Sequence, residues 1–192
     1  MSRTPTSIPR DDFLIIGYGN TLRSDDGAGP RLAQAVAAMN YAGVRALVCP
    51  LLTPELADPV SQTRVALFVD AAVDAPHEVR LRKLEPAHSA QIMAHAADPR
   101  TILALARDVF GRAPKAWWLT IPAVKFDFGD RLSPEAQQGF ASALERIQRL
   151  CRHKLQAEPS RLAWNLSRPG PPCQPTMRPC HEPRKVQKFQ SV

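Results

Sequence analysis

Gly17-Tyr-Gly-Asn-Thr-Leu-Arg-Ser-Asp-Asp-Gly-Ala-Gly29 directly follows the apolar run Phe13-Leu-Ile-Ile16 and directly precedes Arg31-Leu-Ala-Gln-Ala-Val-Ala-Ala-Met39. The first flank reads as a buried strand and the second as a helix. The stretch between them is therefore a glycine-rich strand-to-helix turn, which usually cradles a phosphate through its backbone N–H groups. Here Asp25 and Asp26 stand where the phosphate would sit. Two carboxylates repel an anion and invite a cation, so the turn points to metal chemistry and away from nucleotides.

Working outward, Pro30 suits the first position of the helix, where its missing N–H is not needed. Leu32, Val36 and Met39 then recur at helical spacing. Val44–Cys49 reads as a second strand, and Thr53-Pro54 as a helix start with Thr53 as N-cap. Val65-Ala-Leu-Phe-Val-Asp70 is apolar on both faces, as a central parallel strand requires. Val79–Leu84 alternates and suits an edge strand. Asp98-Pro99 opens a helix with Ile102, Leu103, Leu105, Ala106 and Val109 inward and Gly111 as its stop. Trp117–Ile121 reads as a buried strand, and Ser133-Pro134 caps a last helix striped by Phe140, Leu144 and Ile147. Strands alternating with helices predict an α/β fold, a three-layer αβα sandwich with a mostly parallel central sheet.

The composition divides the chain. Residues 151–192 hold eight Lys/Arg against two Asp/Glu, whereas residues 1–150 hold seventeen against sixteen. The net charge of +7 thus belongs mainly to the tail, and the body shows no electrostatic footprint for nucleic acid. Seven of the nineteen prolines also lie beyond residue 151, where periodicity stops. We expect a flexible arm over 1–11, one domain over 12–150, and a Pro-rich basic tail over 151–192 that is disordered, because it cannot bury enough apolar surface to offset its ordering entropy. Cys49 is the one cysteine of the body, which suits a reducing compartment. No apolar run approaches the roughly 20 residues of a membrane span, and the N-terminus has no secretory h-region. The expectation is a cytoplasmic protein that binds neither membrane nor nucleic acid.

Ligands in open α/β sheets bind beyond the carboxyl ends of the strands. Asp26, in the loop after the first strand, and Asp70, at the end of the third, fall there. His95 precedes the Asp98-Pro99 helix. Two carboxylates and an imidazole can hold a divalent transition metal with open positions. Each also has a plainer reading. Asp25 or Asp26 would serve as a helix cap, Asp70 as a solvated strand end, and His95 as a surface residue with His77 and His88 as rivals. The run of apolar residues around Asp70 favours burial, and a buried carboxylate needs a partner. Other motifs fail. Leu22 stands where a dinucleotide fingerprint needs its third glycine, and there is no P-loop, zincin helix or nucleophile elbow. Cys173 and Cys180-His181 lack zinc-module spacing.

Four segments together resemble the hydrogenase maturation endopeptidases: Gly17–Gly29; Leu52-Thr-Pro-Glu-Leu-Ala57 with Phe68-Val-Asp-Ala71; His95–Ala106; and Phe126-Asp-Phe-Gly-Asp-Arg-Leu-Ser-Pro134. They cover about residues 13–150 in the family's order. The fourth is most similar to the branch acting on cytoplasmic, NAD-linked hydrogenases. The resemblance implies an αβα sandwich that cuts the C-terminal extension from the precursor of a nickel–iron hydrogenase large subunit after nickel insertion. It implies metal-recognition and catalytic roles for Asp26, Asp70 and His95, with nickel supplied by the substrate, a supporting role for Asp25 behind the ligands, and a brace at Asn20. The partner is the large-subunit precursor, met by a monomer. Residues 151–192 depart from the family pattern as an addition. The competing reading is a nickel-dependent checkpoint protein that binds the precursor without cutting it.

Overall fold

The structure is a computed structural model that describes residues 13–73, 78–88 and 98–152. The expected arm, the tail from 153 onward, His77, His95 and the tail cysteines Cys173 and Cys180 lie outside the described residues. Five strands, β1 (Phe13–Tyr18), β2 (Val44–Cys49), β3 (Val65–Ala72), β4 (Arg80–Leu84) and β5 (Lys115–Pro122), form one sheet in the order β2-β1-β3-β5-β4. The first four neighbours run parallel, and β4 closes one edge antiparallel to β5. The helices are α1 (Ala28–Ala38), α2 (Ala57–Ser61), α3 (Pro99–Phe110) and α4 (Pro134–Arg152).

Residue alternation along each strand builds two cores. Phe13, Ile15, Val65, Leu67, Val69, Leu119 and Ile121 face α1 and α4, meeting Leu32, Val36 and Ile147. Leu14, Ile16, Ala66 and Phe68 face the other way, meeting Val60 of α2 and Ile102, Leu103 and Ala106 of α3. A sheet buried on both faces needs strands apolar at every position, which is why β1 and the first five residues of β3 are buried without interruption. The expected three-layer αβα sandwich is present.

Several boundaries differ from the sequence reading. The helix expected near Pro30 begins at Ala28, and a 3-10 turn over Ser24–Gly27 runs straight into it. Pro30 remains inside the first turn, where no intrahelical partner for its nitrogen exists. β3 continues past Asp70 because Ala71 and Ala72 still pair with Ile121 and Pro122. Val109 is 67% exposed rather than inward. Its neighbour α2 has only five residues and cannot cover the twelve of α3. Thr53 makes no side-chain cap, although its backbone is extended as a cap requires. Asp98 caps α3 through Arg100 N–H at 2.8 Å, and Gly111 ends that helix in the left-handed region. No helix of the described residues is long and apolar enough to cross a membrane.

Candidate functional site

The chain leaves β1 through α1 to reach β2 on one side. It then returns through α2, on the opposite face, to β3 on the other side of β1. The carboxyl ends of β1 and β3 therefore flank a topological switch point, where the two connections diverge and open a crevice. Asp26 follows β1, and Asp70 lies two residues before the pairing of β3 with β5 ends, so both lie at the carboxyl-end side of the sheet that this crevice opens on. Gly29 presses α1 onto it. A Cβ at Gly29 would lie 2.5 Å from Val69 O and 2.8 Å from Tyr18 O, so no side chain fits between the helix start and the two strands.

The two adjacent aspartates do different things. Asp25 has no solvent exposure. Its Oδ2 accepts hydrogen bonds from Val124 N–H (2.9 Å), Lys125 N–H (2.9 Å) and Ser133 Oγ (2.7 Å), and its Oδ1 from Ser133 N–H (2.6 Å). Burial is the largest single influence on its carboxyl and pushes it up, but the donors together outweigh burial and hold it below the usual carboxylate range. The turn is stitched further by Asp25 N–H to Lys125 O (3.0 Å), Ser24 N–H to Gly129 O (2.8 Å) and Gly129 N–H to Leu22 O (2.9 Å). Both oxygens are engaged by protein donors, three on Oδ2 and one on Oδ1, and the side chain is fully buried. Asp25 therefore organises the turn from behind, and Asp26 is the member of the pair that is partly exposed. Neither aspartate caps α1, whose N-cap is Gly27.

Asp26 is partly exposed. Its Oδ2 accepts Asn20 N–H at 3.0 Å, while Asn20 Oδ1 accepts Leu22 N–H at 2.9 Å, so Asn20 braces the loop as expected. Gly19 makes the bend possible with φ +132, a conformation L side chains rarely adopt.

Asp70 is more enclosed. Its Oδ1 accepts the Ala71 N–H at 2.8 Å. Burial pushes its carboxyl up to about 6, against the pull of the Tyr18 hydroxyl and the Ala71 N–H, and the Asp26 charge adds a smaller upward push. The two carboxylates therefore share one electrostatic field across the crevice. The Tyr18 phenol is raised well above its ordinary range, chiefly by burial, then by the Asp70 charge. Asp98, three residues after His95, also acts on Tyr18, so the start of α3 borders the same place. His95 itself lies outside the described residues. Among the described residues no group of three or more His, Cys, Asp or Glu gathers to hold a metal ion. Carboxylate oxygens such as those of Asp26 and Asp70 are of the chemical type that ligates a divalent cation. One carboxyl that ionises near neutrality beside another also suits proton transfer.

The sequence reading did not single out Tyr18, Trp118 or Ser133. Tyr18 carries a polar tip at the last position of a strand otherwise apolar, which is its signal. Trp118 shows none, since Trp in a buried strand is ordinary. Ser133 was read only as the cap of α4, which it is through Ala136 N–H to its Oγ at 3.2 Å, and its second role toward Asp25 left no trace in spacing.

An open, mostly parallel α/β sandwich with carboxylates at its switch point is the architecture of a ligand-binding or catalytic domain. No protein-family model and no curated protein matches the sequence. The fold, however, is that of the NiFe hydrogenase maturation proteases. The maturation protease HycI from Thermococcus kodakarensis superposes with a TM-score of 0.60 at 15% identity, over 75% of this chain and 94% of its own. The hydrogenase maturating endopeptidase HybD from E. coli gives 0.57 at 20%, over 73% and 92%. HybD from T. kodakarensis gives 0.53 at 25%, over 72% and 98%.

Proposed function

We propose that this protein is an endopeptidase of hydrogenase maturation, which removes the C-terminal extension of a nickel–iron hydrogenase large-subunit precursor once nickel is in place. The observation that carries the reading is the meeting of Asp26 and Asp70 at the switch point of a fold shared with proteins of that activity. His95 completes the recognition set in this proposal, from the segment that leads into α3.

Nickel belongs to the substrate in this scheme. It would supply Lewis acidity and a lowered pKa for water, with Asp26, Asp70 and His95 as the residues that would meet it. The rest is done by the chain. Asp26, held through Oδ2 by the Asn20 N–H, keeps Oδ1 for the substrate's metal. Asp70, deeper and reluctant to ionise without a partner, gains most from a nearby cation, because that cation offsets its desolvation. A precursor lacking the metal leaves Asp70 unpaired and adds no such gain, so the site discriminates loaded from empty substrate by electrostatics. Processing takes place in the cytoplasm, where large subunits acquire their metal in this scheme.

The test is the intact mass of a nickel-loaded large-subunit precursor before and after incubation with the protein. Loss of a discrete C-terminal peptide, absent with nickel-free precursor, is the expected result. Nickel-dependent complex formation without mass loss would instead make the protein a checkpoint, and neither outcome with an authentic partner would overturn the proposal.

A further inference from the structure

Tyr18 of β1, Asp70 of β3 and Trp118 of β5 lie on the sheet face covered by α2 and α3. Tyr18 and Trp118 pack with that face's core, and Asp70 shares the alternation of Phe68. Phe68 pairs with Trp118 across β3 and β5, so Trp118 sits one same-face step behind Asp70. Tyr18 is only 7% exposed. Its hydroxyl and the Trp118 indole N–H are buried, and neither makes a hydrogen bond of good geometry with a described group. Yet the hydroxyl lies close enough to interact with both Asp70 and Trp118. The Trp118 ring is held by the Arg82 guanidinium, 4.9 Å from its centroid, on the facing strand β4. Both aromatic bodies are fixed while both polar tips remain uncommitted.

A buried polar group without a partner costs about 1–3 kcal/mol. Two at one point need an acceptor, and the charged one at hand is Asp70, which uses Oδ1 on the Ala71 N–H. The direction of any chain through them is set by chemistry, because an indole N–H can only donate, a phenol both donates and accepts, and an ionised carboxylate only accepts. We propose that Trp118 and Tyr18 are positioning residues for Asp70: Trp118 Nε1–H donates to Tyr18 Oη, and Tyr18 Oη–H donates to Asp70 Oδ2, fixing the direction in which the carboxylate presents its remaining lone pairs to the crevice. The relay rests on Asp70 being the recognition carboxylate of the proposed function.

The experiment uses the full chain with 15N-labelled tryptophan. The Trp118 indole resonance is assigned through Trp118→Phe. In Tyr18→Phe, which keeps the ring and removes the acceptor, the Trp118 N–H resonance is expected to move upfield, and Asp70→Asn is expected to move it as well. With nickel-loaded precursor, Tyr18→Phe should lower kcat about tenfold, the loss of one hydrogen bond to a charged group, while KM stays within about twofold. An indole resonance unmoved by Tyr18→Phe overturns the relay, as does a moved resonance with kcat at the wild-type value. If Tyr18→Phe does not fold, an indole unmoved by Asp70→Asn overturns it equally. If the wild-type protein leaves the precursor intact, the proposed function fails, and the indole resonance still decides whether the relay exists.

Discussion

Asp70→Asn should make the metal-free protein more stable above neutral pH while abolishing processing. Burial holds the Asp70 carboxyl at about 6 in the folded protein, against an ordinary value of 3.8. The folded state therefore binds this proton more tightly than the unfolded state does. Between about pH 4 and pH 6 it holds more protons, so stability falls as pH rises through that window, and the penalty is complete above it. A shift of about two units corresponds to about 3 kcal/mol, which is a ceiling because the unpaired charge can draw in water. Asparagine carries no charge at any pH and keeps an oxygen for the Ala71 N–H. The assay is urea denaturation of both proteins with chelator present, from about pH 4 to about pH 8, reading the difference between them so that other titrating groups cancel. The variant should be more stable by roughly 1–3 kcal/mol at the alkaline end, with a Tm higher by roughly 3–10 °C, and the difference should vanish towards about pH 4. A difference that is flat across the range, or an alkaline destabilisation, would refute the reading of Asp70 as a half-buried carboxylate that lacks a cation.

Asp25→Ala should cost about 3–5 kcal/mol, measured by urea denaturation, because it strands the Val124, Lys125 and Ser133 donors inside the protein. Asp26→Ala, one residue away and partly exposed, should cost about 1 kcal/mol or less in the same assay yet eliminate processing in the mass-spectrometric assay. Gly29→Ala should lower stability by about 1–3 kcal/mol through overpacking against the Val69 and Tyr18 carbonyls, read as a lower thermal midpoint by circular dichroism. His95→Ala should leave the thermal midpoint unchanged and remove cleavage of nickel-loaded precursor, and full cleavage would take His95 out of the site.

The sandwich was legible because burial on both faces forces apolar strands of a kind that few other sequences show. Phe13–Ile16 and Val65–Val69 could hardly be anything but central strands, and both are. Capping chemistry placed α3 and α4 to the residue at Asp98 and Ser133. The positions of Asp26 and Asp70 followed from the rule for strand ends in open sheets. The division of labour between Asp25 and Asp26 did not follow, because it depends on donors about a hundred residues away. Local sequence carries no sign of such a partner. The fate of Val109 was hidden for a related reason, since the helical period predicts a direction but not how far the neighbouring element extends.

The distance that hid the role of Asp25 also bears on how the protein is born. Val124, Lys125 and Ser133 lie 99, 100 and 108 positions beyond the carboxylate they satisfy. During synthesis the acidic turn is therefore made early and locked late. Until residue 133 has left the ribosome, Asp25 is a bare charge that favours water over burial, and the turn carrying Asp26 has only its own local hydrogen bonds to hold its shape. Contacts of such long sequence separation form slowly. The acidic turn is therefore completed only once the segment leading into the last helix is in place.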